Sequence, residues 1–166
     1  MAISIKKISF SVLVVFFILC NPLIISAFEE SVVLKNEIIN PGSFYYPLKR
    51  LWEKGLGRLQ FSSQSRNTFY ESQLKIRLTE LRFVVENNLL SEVQTSSERF
   101  AYQAGILSEE LIKQNNVSGK ENLIKEFGAY GKFLAGLRDK YPANSSFWML
   151  VQHDINTLQI LSEKLR

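Results

Sequence analysis

Between residues 65 and 165, apolar side chains recur at spacings of mostly four and three, a repeat that confines this part of the chain to helices packed in a bundle. The first run is Leu74, Leu78, Leu81 and Val85, with Phe69, Ile76 and Phe83 on flanking positions. The second is Val93, Phe100, Ala104, Leu107 and Leu111, and the third is Leu123, Phe127, Tyr130, Leu134 and Leu137. The fourth is Phe147, Val151, Ile155, Leu158 and Leu165, with Leu161 alongside. Residues three and four apart share one side of an α-helix, so each run makes an apolar face that must be buried. No stretch alternates polar and apolar residues for long, so no sheet is expected.

The breaks between these runs set the helix ends. Asn87-Asn88 and Asn115-Asn116 are natural stops, and Tyr141-Pro142 closes the next helix. The spacing predicts helices over 65–86, 90–114 and 146–165. The helix between the last two is expected to open on a capping box, Ser118-x-x-Glu121. Asn144 to Ser146 supply caps for the final helix. Gly105 is a candidate kink, and Gly128, Gly131 and Ala135 form a small-residue line that would let another backbone come close. Short connections between long helices make antiparallel neighbours. The expected fold is an all-α bundle of four long or medium helices plus one short helix begun by a proline.

That short helix follows the densest local signal in the chain, Pro41-Gly42-Ser43-Phe44-Tyr45-Tyr46-Pro47-Leu48-Lys49-Arg50-Leu51-Trp52-Glu53-Lys54. Pro41-Gly42-Ser43 halts anything helical upstream, and Pro47 suits a first helical turn, where its missing N–H is no loss. Leu48, Leu51, Trp52, Leu56 and Leu59 make an apolar stripe, while Lys49, Arg50, Glu53, Lys54 and Arg58 fill most of the other face. Gly55 and Gly57 each weaken such a helix by about 1 kcal/mol relative to alanine. The helix is therefore expected to dock its stripe on the bundle and to leave its charges in water. In a second reading, Lys49, Arg50, Trp52, Lys54 and Arg58 are interaction or membrane-surface residues, because basic amphipathic helices with Trp and Tyr favour lipid interfaces.

Upstream, Lys6 and Lys7 precede an apolar segment over 8–27, interrupted by Cys20, Asn21 and Pro22. This has the form of an export signal cleaved after Ala27, or of an uncleaved transmembrane anchor close to the ~20 residues that span a bilayer. In either case the remainder is expected outside the cytoplasm, secreted or anchored in the cytoplasmic membrane by the N-terminus. The expected organisation is 1–27 signal or anchor, 28–46 tether and turn, and 47–166 bundle. Formal net charge is +4, and setting aside Lys6 and Lys7 leaves +2, too little for a concentrated nucleic-acid-binding face. Cys20 is the sole cysteine, so the remainder contains no intramolecular disulfide.

Catalytic sets are not legible. The single histidine, His153, has no second histidine or downstream cysteine to complete a metal site, and the residue three before it is Leu150, which rules out a Glu-x-x-His pair. Nucleophile elbows, phosphate loops and zincin motifs are absent. Glu109 and Glu110 are neighbours on a helix and point apart. No cofactor or metal is expected. A pocket between helices using Tyr130, Tyr102, Arg99 and His153 stands as the rival, ligand-binding expectation.

Two patches resemble domain-of-unknown-function family 5667. The first is Pro41, Gly42, Ser43, Tyr46, Pro47, Leu48, Lys49, Arg50 and Glu53, and the second is Arg77, Leu78, Glu80 and Leu81 in an Arg-Leu-x-Glu-Leu pattern. The resemblance covers roughly 41–114. It implies a bacterial, extracytoplasmic helical domain behind a signal or anchor, and it brings no catalytic residues. Some proteins with such domains look like membrane-bound regulators with a cytoplasmic part, for which the seven or so residues before the apolar segment leave no room. The expected role is a non-catalytic interaction or structural module of the envelope, with a protein partner there, contact with the membrane through an uncleaved N-terminus, and no nucleic acid. Small-ligand binding or membrane-surface sensing is the alternative.

Overall fold

A computed structural model describes residue 32 and residues 34–166, and the expected signal or anchor over 1–27 lies outside them. The described chain is all-α: α1 (Tyr46–Arg58), α2 (Ser63–Glu86), α3 (Leu90–Lys113), α4 (Val117–Arg138) and α5 (Ser146–Leu165). The four long helices carry the four apolar runs. Leu74, Leu78, Leu81, Phe100, Leu107, Leu134 and Val151 are fully buried, with Phe127 and Leu158 nearly so. α2 packs along α3, α4 packs along α5, and α3 against α5 joins the two pairs into one core.

Each turn between long helices uses an asparagine in the left-handed region: Asn88 at φ 53°, Asn115 at φ 50° and Asn144 at φ 62°. Asparagine tolerates that conformation better than other residues with a Cβ: Asn88 and Asn115 end α2 and α3, and Asn144 turns the chain into α5, just before its Ser145 cap. α2 begins at Ser63 rather than Ser65, because Ser62 is extended and its hydroxyl accepts from the Ser65 N–H at 3.1 Å. The expected capping box at Ser118 does not form. Asn116 caps α4 instead, its carbonyl oxygen accepting from the Gly119 N–H at 2.9 Å. Ser145 caps α5 through the Trp148 N–H at 3.3 Å.

α3 continues through Gly105 without a break. Gly128 and Gly131 admit no close backbone, since a Cβ at either would meet nothing within 4 Å. With Ala135 they line an open groove of about 650 Å³ between α4 and α5. The tether is also not free throughout: Val32 and Leu34 pack on the core, and Asn36 accepts a hydrogen bond from Arg82.

Candidate functional site

α1 makes far fewer close backbone contacts than hold the other four helices together. It is attached by side chains, and by its polar face. Tyr46, Lys49, Glu53 and Gly57, spaced three, four and four, lie along the side of α1 turned toward the bundle. Glycine at 57 matters here, because a Cβ would come 3.1 Å from the Phe69 ring of α2.

The centre of the attachment is a buried charge network. Arg77 and Glu80, one helical turn apart on α2, are 2% and 1% exposed. The Arg77 guanidinium donates to Glu80 and to Glu53 of α1, and to Gln73 Oε1 at 2.7 Å. The Lys49 ammonium donates to Glu80 Oε1 at 2.8 Å, to Glu37 Oε2 at 2.9 Å and to the Ile39 carbonyl at 3.1 Å, and lies 3.8 Å from Glu53. One lysine thus ties the tether, α1 and α2 together. Arg50 closes on Glu53 at 3.0 Å from a more exposed position. The Tyr46 hydroxyl donates to Glu80 Oε2 at 2.8 Å and accepts from Arg99 of α3 at 3.2 Å, with that guanidinium 5.2 Å from the ring centroid. Stacking of a cation on an aromatic face strengthens such a contact when water is excluded.

Three members of this cluster are shifted, each away from neutrality. Burial pushes the Glu80 carboxyl up, but Arg77 and Lys49 outweigh it and hold the group below its usual value. Burial pulls the Arg77 guanidinium down, and Glu80 and Glu53 more than offset that. Tyr46 is raised to about 12, by burial first and then by the Glu80 carboxylate. A general acid or base needs a pKa moved toward the working pH. These three are held away from neutrality, so the cluster is suited to holding position rather than exchanging protons.

The consequence for α1 overturns the expected docking. Leu48, Leu51, Trp52 and Leu59 are 66%, 67%, 69% and 61% exposed, and the stripe meant for the core faces outward. The reason is that the opposite face carries the groups that match Arg77 and Glu80, and only one face can turn inward. Lys49 and Arg50 are corrected in the same step, being bound in the network rather than solvated or free for lipid. Lys54 and Arg58 remain exposed beside Trp52. A shallow apolar groove of about 910 Å³ runs along this face, among Leu48, Leu51, Trp52, Leu56 and Leu59.

The remaining motif residues divide cleanly. Pro41 is buried, Gly42 turns at φ 87°, and the Ser43 N–H closes that turn on the Asn40 carbonyl at 3.1 Å. Pro47 lies in the first turn of α1, which begins one residue earlier than expected, at Tyr46. Leu78 and Leu81 belong to the core. Both motif patches therefore meet: the first supplies Tyr46, Lys49, Arg50 and Glu53, and the second supplies Arg77 and Glu80. Gln73 and Glu37 complete the network with no signal in the sequence, and so does Arg99, expected in the rival pocket instead.

The rival ligand pocket is not assembled. Arg99 is held at Tyr46, Tyr102 and His153 face solvent, and the buried Tyr130 hydroxyl donates to Glu126 at 2.9 Å on α4. Among the described residues no group of His, Cys, Asp and Glu could hold a metal ion, and no helix is long and apolar enough to cross a membrane. The fold and site define an all-α bundle bearing one additional helix fastened by buried charge, with its apolar side outward. No family model, curated protein or solved structure matches the chain.

Proposed function

We propose that the chain is a non-catalytic, extracytoplasmic helical module, carried out of the cytoplasm by residues 1–27, whose working surface is the outward face of α1. The observation that carries this reading is that face itself: a contiguous apolar strip on a helix whose other side is fixed by buried charge. Large exposed apolar patches on soluble domains mark places where something else binds. The meeting of both motif patches in one network supports the resemblance to domain-of-unknown-function family 5667. The paired state of the network's ionisable groups supports a role without catalysis.

The test is a triple substitution, Leu48→Ser, Trp52→Ser and Leu59→Ser. Side chains that pack on nothing should cost within about 0.5 kcal/mol each, so urea unfolding should barely move while binding of a hydrophobic dye to the native protein falls. A loss of several kcal/mol would mean that the face is part of the core, and the reading would be wrong.

A further inference from the structure

We propose that the occupant of the outward face of α1 is the surface of an anionic lipid bilayer, an inference that rests on the reading of α1 as the working surface. Three features select lipid over protein. The first is composition. Leu48, Leu51, Trp52 and Leu59 project together, Tyr45 and Phe61 are exposed at either end, and the exposed cations Lys54 and Arg58 lie along one edge. Interfacial helices have this arrangement: apolar and aromatic groups enter the headgroup boundary, and long basic side chains reach back to the phosphates.

The second feature is charge. From Ile38 to Tyr70 the sequence contains a single carboxylate, Glu53, and that one is buried under the network. The groove along the outward face of α1 is lined by no carboxylate, and the partly exposed Glu37 nearby is bound to Lys49, so this face is apolar and cationic, complementary to anionic lipid. A second copy of the same face would meet it with like charge. The third feature is reach. Val32 and Leu34 already pack on the core, so only residues 28–31 remain between the apolar segment and the fastened chain. Four residues reach at most about 14 Å. If the segment over 8–27 stays in a bilayer, that short connection gives α1 a high effective concentration at its surface.

The experiment uses the full chain, one copy per lipid nanodisc, with Trp52 as reporter. The sequence has two tryptophans, and Trp148→Phe leaves Trp52 alone; Trp52→Phe in parallel supplies the Trp148 signal for subtraction should the first variant fold poorly. In discs containing phosphatidylglycerol, Trp52 should be quenched by lipids brominated at shallow acyl positions and shielded from aqueous acrylamide. Lys54→Gln with Arg58→Gln should lower the docked-to-free ratio roughly 30-fold, on about a fivefold effect for each cation near an anionic surface, with little change in neutral discs. Acrylamide access without bromine quenching would overturn the proposal. Shielding that appears only with two copies per disc would overturn it in favour of self-association. If the triple serine variant is as stable as the wild type yet Trp52 avoids lipid, the lipid proposal alone fails.

Discussion

Replacing Arg77 with methionine tests whether charge, rather than packing, fastens α1. Arg77 is almost wholly buried and serves Glu53, Glu80 and Gln73 at once. Methionine fills much of the same volume but leaves two carboxylates without their main partner. Removing one member of a buried pair typically costs about 3–5 kcal/mol. Here Lys49 still holds Glu80 at 2.8 Å, while Glu53 keeps only Arg50 at 3.0 Å and Lys49 at 3.8 Å. The expected loss is therefore near the lower end, about 3 kcal/mol. Because α1 stands apart from the α2–α5 core, most of that loss should appear as opening of α1, read by hydrogen exchange of its amides, with a smaller effect on global urea unfolding. The decisive comparison is Arg77→Met with Glu53→Gln, which removes one cation and one carboxylate together. The double variant should recover about 1–2 kcal/mol relative to Arg77→Met, within the roughly 0.5–3 kcal/mol of coupling measured between contacting residues. If the two substitutions add with no coupling, the charge lock as described is wrong.

Three further outcomes follow from the structure. Asp154 is fully buried on α5, neither of its carboxylate oxygens has a well-formed hydrogen bond, and burial raises its pKa from 3.8 to about 8 against the opposing Ser97 hydroxyl. The folded protein then keeps a proton that the unfolded chain loses near pH 4, so stability is fullest below that pH and falls by about 1.4 kcal/mol per unit until about pH 8. Asp154→Asn should remove that slope, and a wild-type-minus-variant difference that stays constant between pH 4 and 8 in urea unfolding would refute the assignment. Gly42→Ala forces a side chain into φ 87° and should cost about 1 kcal/mol or more, seen as faster exchange at the start of α1 with the long helices unaffected. Asn116→Ala deletes the α4 cap and should lower stability by about 0.5–2 kcal/mol, whereas Ser118→Ala should change little, because the hydroxyl at 118 is not the cap.

The four long helices were legible because their apolar residues keep a helical period, and their ends were legible because asparagine is the residue that enters the left-handed region at each turn. The site was half legible. Lys49 and Glu53, and Arg77 and Glu80, stand at helical spacings that any reader would mark as ion pairs. Those local pairs form, but each residue also bonds outside its own helix: Lys49 to the tether and Glu80, Glu53 to Arg77, and Glu80 to Tyr46 and Lys49, contacts that local spacing cannot express. The rule that an apolar stripe turns inward failed at Leu48, Leu51 and Trp52, since it assumes that apolar contact always prevails over a matched set of buried charges. Asp154 could have been found: it sits between Val151, Ile155 and Leu158 at core spacing, a position where an unpaired acid has no bland explanation.

The orientation of α1 also carries an energetic consequence. Burying Leu48, Leu51 and Leu59 would have been worth roughly 1.5–3 kcal/mol apiece. A buried ion network, by contrast, is often no better than an apolar replacement of similar volume. Folding stability alone would favour α1 turned half a revolution about its axis, with leucines inward and charges in water. Natural chains depart from such local rules mainly where a surface is used. The network also has a property that apolar packing lacks, because Lys49 to Glu80, Arg77 to Glu53 and Tyr46 to Glu80 can be satisfied together at only one rotation of the helix. Leucine contacts could tolerate a slip, and these cannot. A helix held in this way draws none of its attachment from the outward face, so withdrawing Leu48, Leu51 and Trp52 into lipid would leave the bond to the bundle intact.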